Sequence, residues 1–218
     1  MTDGAISPGL AGTPMLYLAS QSPRRLQLLT QWGVTSELLL PDASEDAEAL
    51  EVVKPGEAPR RYVRRVTRLK LMAALQRLQR RGLPLAPVLC ADTTVALGQQ
   101  ILGKPATPDE ARAILAQLAG RTHQVFTSVA VGVLQNSEQF THVYQALSAS
   151  KVTFSELTAD GIDRYVATGE PMGKAGAYGI QGLAALWTSR IDGSYSGIMG
   201  LPAFETAQVL REAGLKLV

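Results

Sequence analysis

A change of pattern part-way along the chain most limits what it can fold into. Up to about residue 120, short strand-like runs alternate with helical ones. Beyond it, "HQVFTSVAVGVL" and "FTHVYQALSASKVTFSEL" alternate in the manner of long antiparallel strands. Strand–helix alternation followed by antiparallel strands predicts an α/β protein built on a mixed sheet, not a purely parallel one.

The first unit sets the scheme. "MLYLAS" reads as a short buried strand, and a helix follows from about Ser22 to Trp32, with Ser22 as N-cap, Pro23 at the first helical position and Gly33 as stop. "SELLL" resumes a strand, and "PDASEDAEALEV" is an acidic, loop-like stretch. "APRRYVRRVTRLKLMAALQRLQRRG" has helical periodicity through Val63, Val66, Leu69 or Leu71, Ala74, Leu75 and Leu78. "PVLCADTTVAL" is a strand, and Gly98 and Gly103 mark a hairpin or loop after it. The helix "TPDEARAILAQLAGR" is written from cap to cap, with Thr107 as N-cap, Glu110 closing a capping box and Gly120 as stop. A further helix is expected from Thr158, loops over 169–202, and a closing helix in "AFETAQVLREAG".

Composition narrows the class. The chain has 218 residues, 46% of them hydrophobic and 18% charged. It has no apolar run near the roughly 18 residues needed to span a bilayer. A net charge of +2 gives no case for nucleic acid, and a lone cysteine, Cys90, fits a reducing compartment. Residues 1–14 lack a basic n-region and an apolar h-region, so they are expected to be a flexible leader on a cytoplasmic protein.

The chemistry concentrates at junctions. At "LASQSPRRLQLL" the backbone N–H groups of a helix start stand beside serine hydroxyls and two arginines, the makings of an anion site. Arginines in a first helical turn oppose the helix dipole at about 0.3 to 1 kcal/mol each unless an anion offsets them, and phosphate is the economical anion. In "CADTTV" an Asp ends an apolar strand segment, where open α/β sheets collect ligands. It suits a divalent metal or a general base, or a turn cap. Lys70, among the basic residues of its helix, and Lys104, in the "GKP" loop, either face solvent or neutralise phosphate. Arg60, Arg61, Arg64, Arg65, Arg68, Arg77, Arg80 and Arg81 recur mostly at spacings of three and four. They read as a solvated face, with the acidic 42–51 stretch as one sink for the charge and a nucleic-acid surface as the alternative. In "EPMGKAGAYGIQG" the glycines let backbone approach a ligand while Lys174, Tyr178 and Gln181 supply donors, unless the loop simply packs on the protein itself. His123 reads as structural.

Taken in order, "LASQSPRRLQLL", "PDASED", "CADTTV", "LGKP", "GRTHQVFTSV", "EPMGKAGAYGIQG" and "IDGSYSGIMGLPAFET" resemble the Maf family of nucleoside triphosphate pyrophosphatases over residues 15–216, and most of all its dTTP/UTP branch. That branch is marked at the positions of Arg24, Thr93 and Gln181, where the 7-methyl-GTP branch has Trp, Gln and Glu. The resemblance implies a single domain over 15–218, an elongated mixed sheet flanked by helices, two lobes with a central cleft, and a fold similar to inosine triphosphate pyrophosphatases. It implies cleavage between the α and β phosphates of dTTP and UTP, a divalent cation (Mg²⁺ or Mn²⁺), a cytoplasmic setting, no nucleic-acid or membrane partner, and room for a homodimer. Position by position, Asp92 matches the proton acceptor, and the cation is expected on Asp92 or Glu45 together with the phosphates. Ser22, Arg25, Lys70 and Lys104 match the phosphate-facing set, and Glu45 matches the acidic residue of the family's "PDVDE", here "PDASE" with Ser44 in place of an acid. Gln181 carries the amide donor and acceptor that match O4 and N3–H of uracil or thymine. The competing class is a nucleotide-binding regulator of septum formation, against which Asp92, Lys70 and Lys104 argue for an enzyme.

Overall fold

The two long alternating stretches are the spine of the molecule. A computed structural model describes residues 15–42, 45–46, 49–134, 140–215 and 217; the expected leader and Ser44 lie outside them. Strand β5 (Thr122–Leu134) and strand β6 (Phe140–Phe154) pair antiparallel along nearly their whole length, from Thr122 opposite Thr153 to Leu134 opposite Phe140. Against β5 lies β3 (Val88–Leu97), antiparallel from Val88 opposite Gly132 to Ala96 opposite Gln124. The other edge of β6 takes β7 (Thr188–Asp192).

On its remaining side β3 changes neighbour. Strand β1 (Tyr17–Leu18) pairs parallel with Val88 and Leu89, and β2 (Glu37–Leu38) pairs parallel with β1. Beyond them β4 (Gln100–Leu102) folds back antiparallel on Val95 to Leu97. Between these two partners, Cys90 to Thr94 have no strand pairing on that side among the described residues. The seven-stranded mixed sheet is therefore notched beside its central strand.

Successive residues of a strand point to opposite faces. Val88 and Cys90 join the cluster formed with α2 (Pro59–Arg80), which lays Leu71, Ala74, Leu75 and Leu78 on the sheet. Leu89 and Ala91 turn to the other face, where α1 (Pro23–Gln31) and α6 (Ala203–Glu212) contribute Leu28, Leu29, Val209 and Leu210. A separate core fills the far half, where α3 (Pro108–Leu118), α4 (Ala159–Ala167) and the glycine-rich segment close on Val95, Val125, Val152 and Phe154. The expected pair of lobes corresponds to these two halves, and the notch lies between them.

Helix starts follow the sequence. Thr107 accepts from the Glu110 N–H at 3.2 Å and Thr158 from the Gly161 N–H at 3.1 Å. The Glu110 carboxylate reaches the N–H of Ala106 (2.8 Å), one residue before the position a strict capping box uses. Ser22 stands at the N-cap of α1 and makes no side-chain cap bond. The 169–202 region, expected as loop, also contains β7 and a short helix, α5 (Tyr195–Met199). Arg77, expected on a solvated face, is 5% exposed and bonds the Leu39 carbonyl (2.8 Å) and Glu45. At the helix end Arg80 and Arg81 pair with Asp42 and, for Arg80, Glu45, so the acidic stretch does serve as a sink for this charge. No helix among the described residues is long and apolar enough to cross a membrane.

Candidate active site

The notch opens into a cleft of about 620 Å³. The β1–α1 junction lines one wall and α2 with the 45–51 segment another; Lys104, residues 172–175 and 198–200 and the middle of β3 add to them. Asp92 and Thr93, paired with β5 on one side, sit where β3 has no strand partner on the other among the described residues. Being consecutive, they point to opposite faces, and both line the cleft.

On the α2 face, Asp92 Oδ1 accepts from Lys70 Nζ at 2.6 Å; Asp92 Oδ2 has no partner among the described residues. The same ammonium donates to Glu51 Oε1 at 2.7 Å, and Lys104 Nζ donates to Glu51 Oε2 at 2.8 Å. Asp92, Lys70, Glu51 and Lys104 thus form a chain of alternating charge. Burial pushes the Lys70 pKa down, but Asp92 and Glu51 outweigh it and hold the ammonium above its ordinary value. Burial likewise pushes Glu51 up, and Lys70 with Lys104 overcomes it and holds the carboxyl below the usual range.

On the opposite face Arg25 fans out to three partners: the Gly200 carbonyl from Nε (2.8 Å), Ser20 Oγ from Nη1 (2.9 Å) and Thr93 Oγ1 from Nη2 (3.4 Å). Thr127 donates to the Gly197 carbonyl at 2.7 Å, so across the 3.0 Å contact the Thr93 hydroxyl is the donor to Thr127 Oγ1. Arg25 makes no ion pair within 4 Å among the described residues; burial lowers its pKa, chiefly opposed by the charge on Asp92. Among the described residues Arg24 is held by a single 3.3 Å bond from Nε to the Met199 carbonyl.

The structure therefore gathers Ser22, Arg24, Arg25, Lys70, Asp92, Thr93 and Lys104 around one cleft. Glu45 also lines it, but both its oxygens are engaged, by Arg77 Nε and Nη2 (2.8 and 2.5 Å) and by Arg80 (2.7 Å). Its pKa is lowered first by the Arg77 bond. Three donors leave Glu45 about one acceptor site of its four, on Oε2, for a metal. Gln181 is exposed and lies outside the residues lining the cleft. Tyr178, read as a donor to ligand, is buried and bonds His123 Nε2 at 2.8 Å, and Lys174 bonds the Glu170 carbonyl. Glu51 was not singled out from sequence; one acid in an acidic loop reads as solvated, and only the fold brings Lys70 and Lys104 to it.

A family model described as Maf-like protein matches residues 15–213. The chain belongs to the Maf family. Among relatives of this Maf protein, the dTTP/UTP pyrophosphatase of Cupriavidus metallidurans is 64% identical, covering 93% of this chain and 98% of that one. Those of Albidiferax ferrireducens and Ralstonia nicotianae are 60% and 54% identical, covering 93% and 97% of this Maf protein and 98% and 100% of their own lengths. Among solved structures, a HAM1 protein from Coxiella burnetii aligns over 93% of this chain and 97% of that one at 14% identity, with a TM-score of 0.44.

Whether a divalent cation fits this Maf cleft can be judged from its donors. No group of three or more His, Cys, Asp or Glu among the described residues could hold a metal. A hard cation of the Mg²⁺ class needs only one or two carboxylates when phosphate oxygens and water complete its shell, and the unpartnered oxygen of Asp92 meets that requirement.

Proposed function

We propose that this protein hydrolyses nucleoside triphosphates, dTTP and UTP first among them, to the nucleoside monophosphate and pyrophosphate. One observation carries the reading: Asp92, paired with β5 on one side, faces the notch on the other, with Lys70 on its Oδ1, Lys104 beyond and the start of α1 opposite. The shared name of relatives at 54–64% identity supports the substrate class.

In this reading the triphosphate lies between the N-terminus of α1, where the Ser22 hydroxyl makes no cap bond, and the ammonium groups of Lys70 and Lys104. Arg25 holds Thr93 and the Gly200 carbonyl in place and adds its charge to that wall. Asp92 accepts the proton of the water that attacks the α-phosphorus. The bond from that phosphorus to the bridging oxygen breaks, and the electron pair leaves with pyrophosphate. A divalent cation held by Asp92 would neutralise phosphate charge and polarise the phosphoryl group. Glu45 stays with Arg77 and Arg80. Arg24 and Thr93 stand at the cleft as the specificity pair, and Gln181 joins them in base choice only if its loop closes on the nucleotide.

The test is a panel of nucleoside triphosphates assayed for pyrophosphate with Mg²⁺, Mn²⁺ and Co²⁺. The expected result is metal-dependent release from dTTP and UTP, reduced about 10²- to 10⁴-fold in Asp92→Asn, the range for loss of a general base. Undiminished turnover in that variant would remove Asp92 from the role.

A further inference from the structure

Glu51 takes no part in the reaction outlined above, yet it is among the most firmly placed side chains of the cleft. It ends a single 3₁₀ turn, Ala49–Glu51, whose exit is fastened to α2 at two successive carbonyls. The Tyr62 hydroxyl donates to the Glu51 carbonyl at 2.8 Å, and Arg65 donates to the Val52 carbonyl at 2.9 Å. Arg65 also forks onto Glu57 at 2.7 and 2.6 Å. The turn is thereby held so that Glu51 projects between two lysines delivered by separate elements, Lys70 from α2 and Lys104 from the loop after β4.

The two lysines differ in what else they hold. Lys70 divides its charge between Asp92 and Glu51, whereas the half-exposed Lys104 has Glu51 as its ion-pair partner among the described residues. A long, half-exposed lysine with no anchor would sample many rotamers, and ordering it would count against ligand binding. Glu51 keeps its ammonium at the cleft. Its oxygens also occupy the space between two ammonium groups, where phosphate oxygens would have to make the same bonds.

We propose that Glu51 is a positioning residue that fills the phosphate subsite between Lys70 and Lys104, holding both lysines in place and competing with the phosphates of the substrate and of released pyrophosphate. The proposal rests on the phosphate-facing role given to these lysines under Proposed function. It differs from a metal-ligand role for Glu51 in the sign of its prediction. Removing the charge should tighten anion binding, whereas removing a metal ligand should weaken it.

The experiment is calorimetric titration of the intact protein with inorganic pyrophosphate, first without and then with Mg²⁺, for the wild type, Glu51→Gln, Lys104→Met and the double variant. Glu51→Gln keeps the size and removes the charge. Without metal it should bind pyrophosphate about three- to ten-fold more tightly, the range for losing one partly screened like charge at close quarters. The gain should shrink when Lys104→Met has already removed the shared partner. In turnover, KM for dTTP should fall with kcat changed less. Unchanged or weaker binding of pyrophosphate by Glu51→Gln would overturn the proposal, and so would a higher Mg²⁺ requirement in the variant. Because the titration needs no turnover, failure of the protein to hydrolyse triphosphates would remove the proposed function and leave this result standing.

Discussion

Arg25 has no ion-pair partner among the described residues, and what it holds instead explains why two adjacent arginines cannot be equivalent. Its guanidinium joins the β1–α1 junction (Ser20), the central strand (Thr93) and the turn after α5 (Gly200). A lysine carries the same charge but cannot present that planar fork. Arg25→Lys is therefore expected to lower unfolding free energy by about 1–3 kcal/mol in urea titration, as buried acceptors lose their donors, and to depress turnover of every substrate. Arg24, with one long bond to the Met199 carbonyl, has no comparable structural duty. Arg24→Ala should leave the urea midpoint nearly unchanged and alter the ratio of dTTP to other nucleotides in the same pyrophosphate assay. The helix start and both arginines were legible in "SPRR". The division of labour between them was not, because Gly200 and Met199 are remote in sequence and meet the arginines only when α5 folds against α1.

Among the elements, the glycine-rich segment shows what a sequence pattern can signal without specifying. Its composition announced close packing, and the structure shows against what: Gly176 sits at φ +71° with its missing Cβ only 2.8 to 2.9 Å from Val95 on β3. Both the left-handed backbone and the rigid β-branched neighbour exclude a side chain there. Gly176→Ala should cost about 2–4 kcal/mol, the sum of backbone strain and overpacking, read by thermal or urea unfolding. Elements whose information is local were readable to within a residue or two: α3 from Thr107 to its stop, α2 from its apolar spacing, and the β5–β6 pair from alternation. β7 escaped because it is a largely exposed edge strand with no apolar alternation, held by its ladder to β6. Glu51 escaped for the matching reason, since its partners are set by tertiary contacts alone.

At the scale of the whole molecule, the far lobe carries a titratable group that the site does not use. His123 is 1% exposed, its Nε2 bonds Tyr178, its Nδ1 is buried without a partner among the described residues, and burial holds its pKa down at about 4 against an ordinary 6.5. The folded protein thus keeps it neutral where the unfolded chain takes up a proton. Stability from this source is complete above pH 6.5 and is lost as pH falls toward 4. Glu45, Glu51 and Glu57 have lowered pKa values and act in the same direction only below the ordinary glutamate value of 4.5. The interval from 6.5 to 4.5 therefore belongs to His123. Urea titrations across it should show a decline on the order of 2 kcal/mol that His123→Gln flattens. The notch in the sheet has a different kind of consequence. Because β3 pairs with β1 before Asp92 and with β4 after it, the two flanks of the cleft share one strand but no ladder with each other. The architecture is modular in its backbone: a change of length on the β4 flank can reshape one bank of the cleft while β1 keeps its pairing with Val88 and Leu89 and Asp92 stays opposite Ser128 of β5, so that the Lys104–Glu51 contact carries the change across.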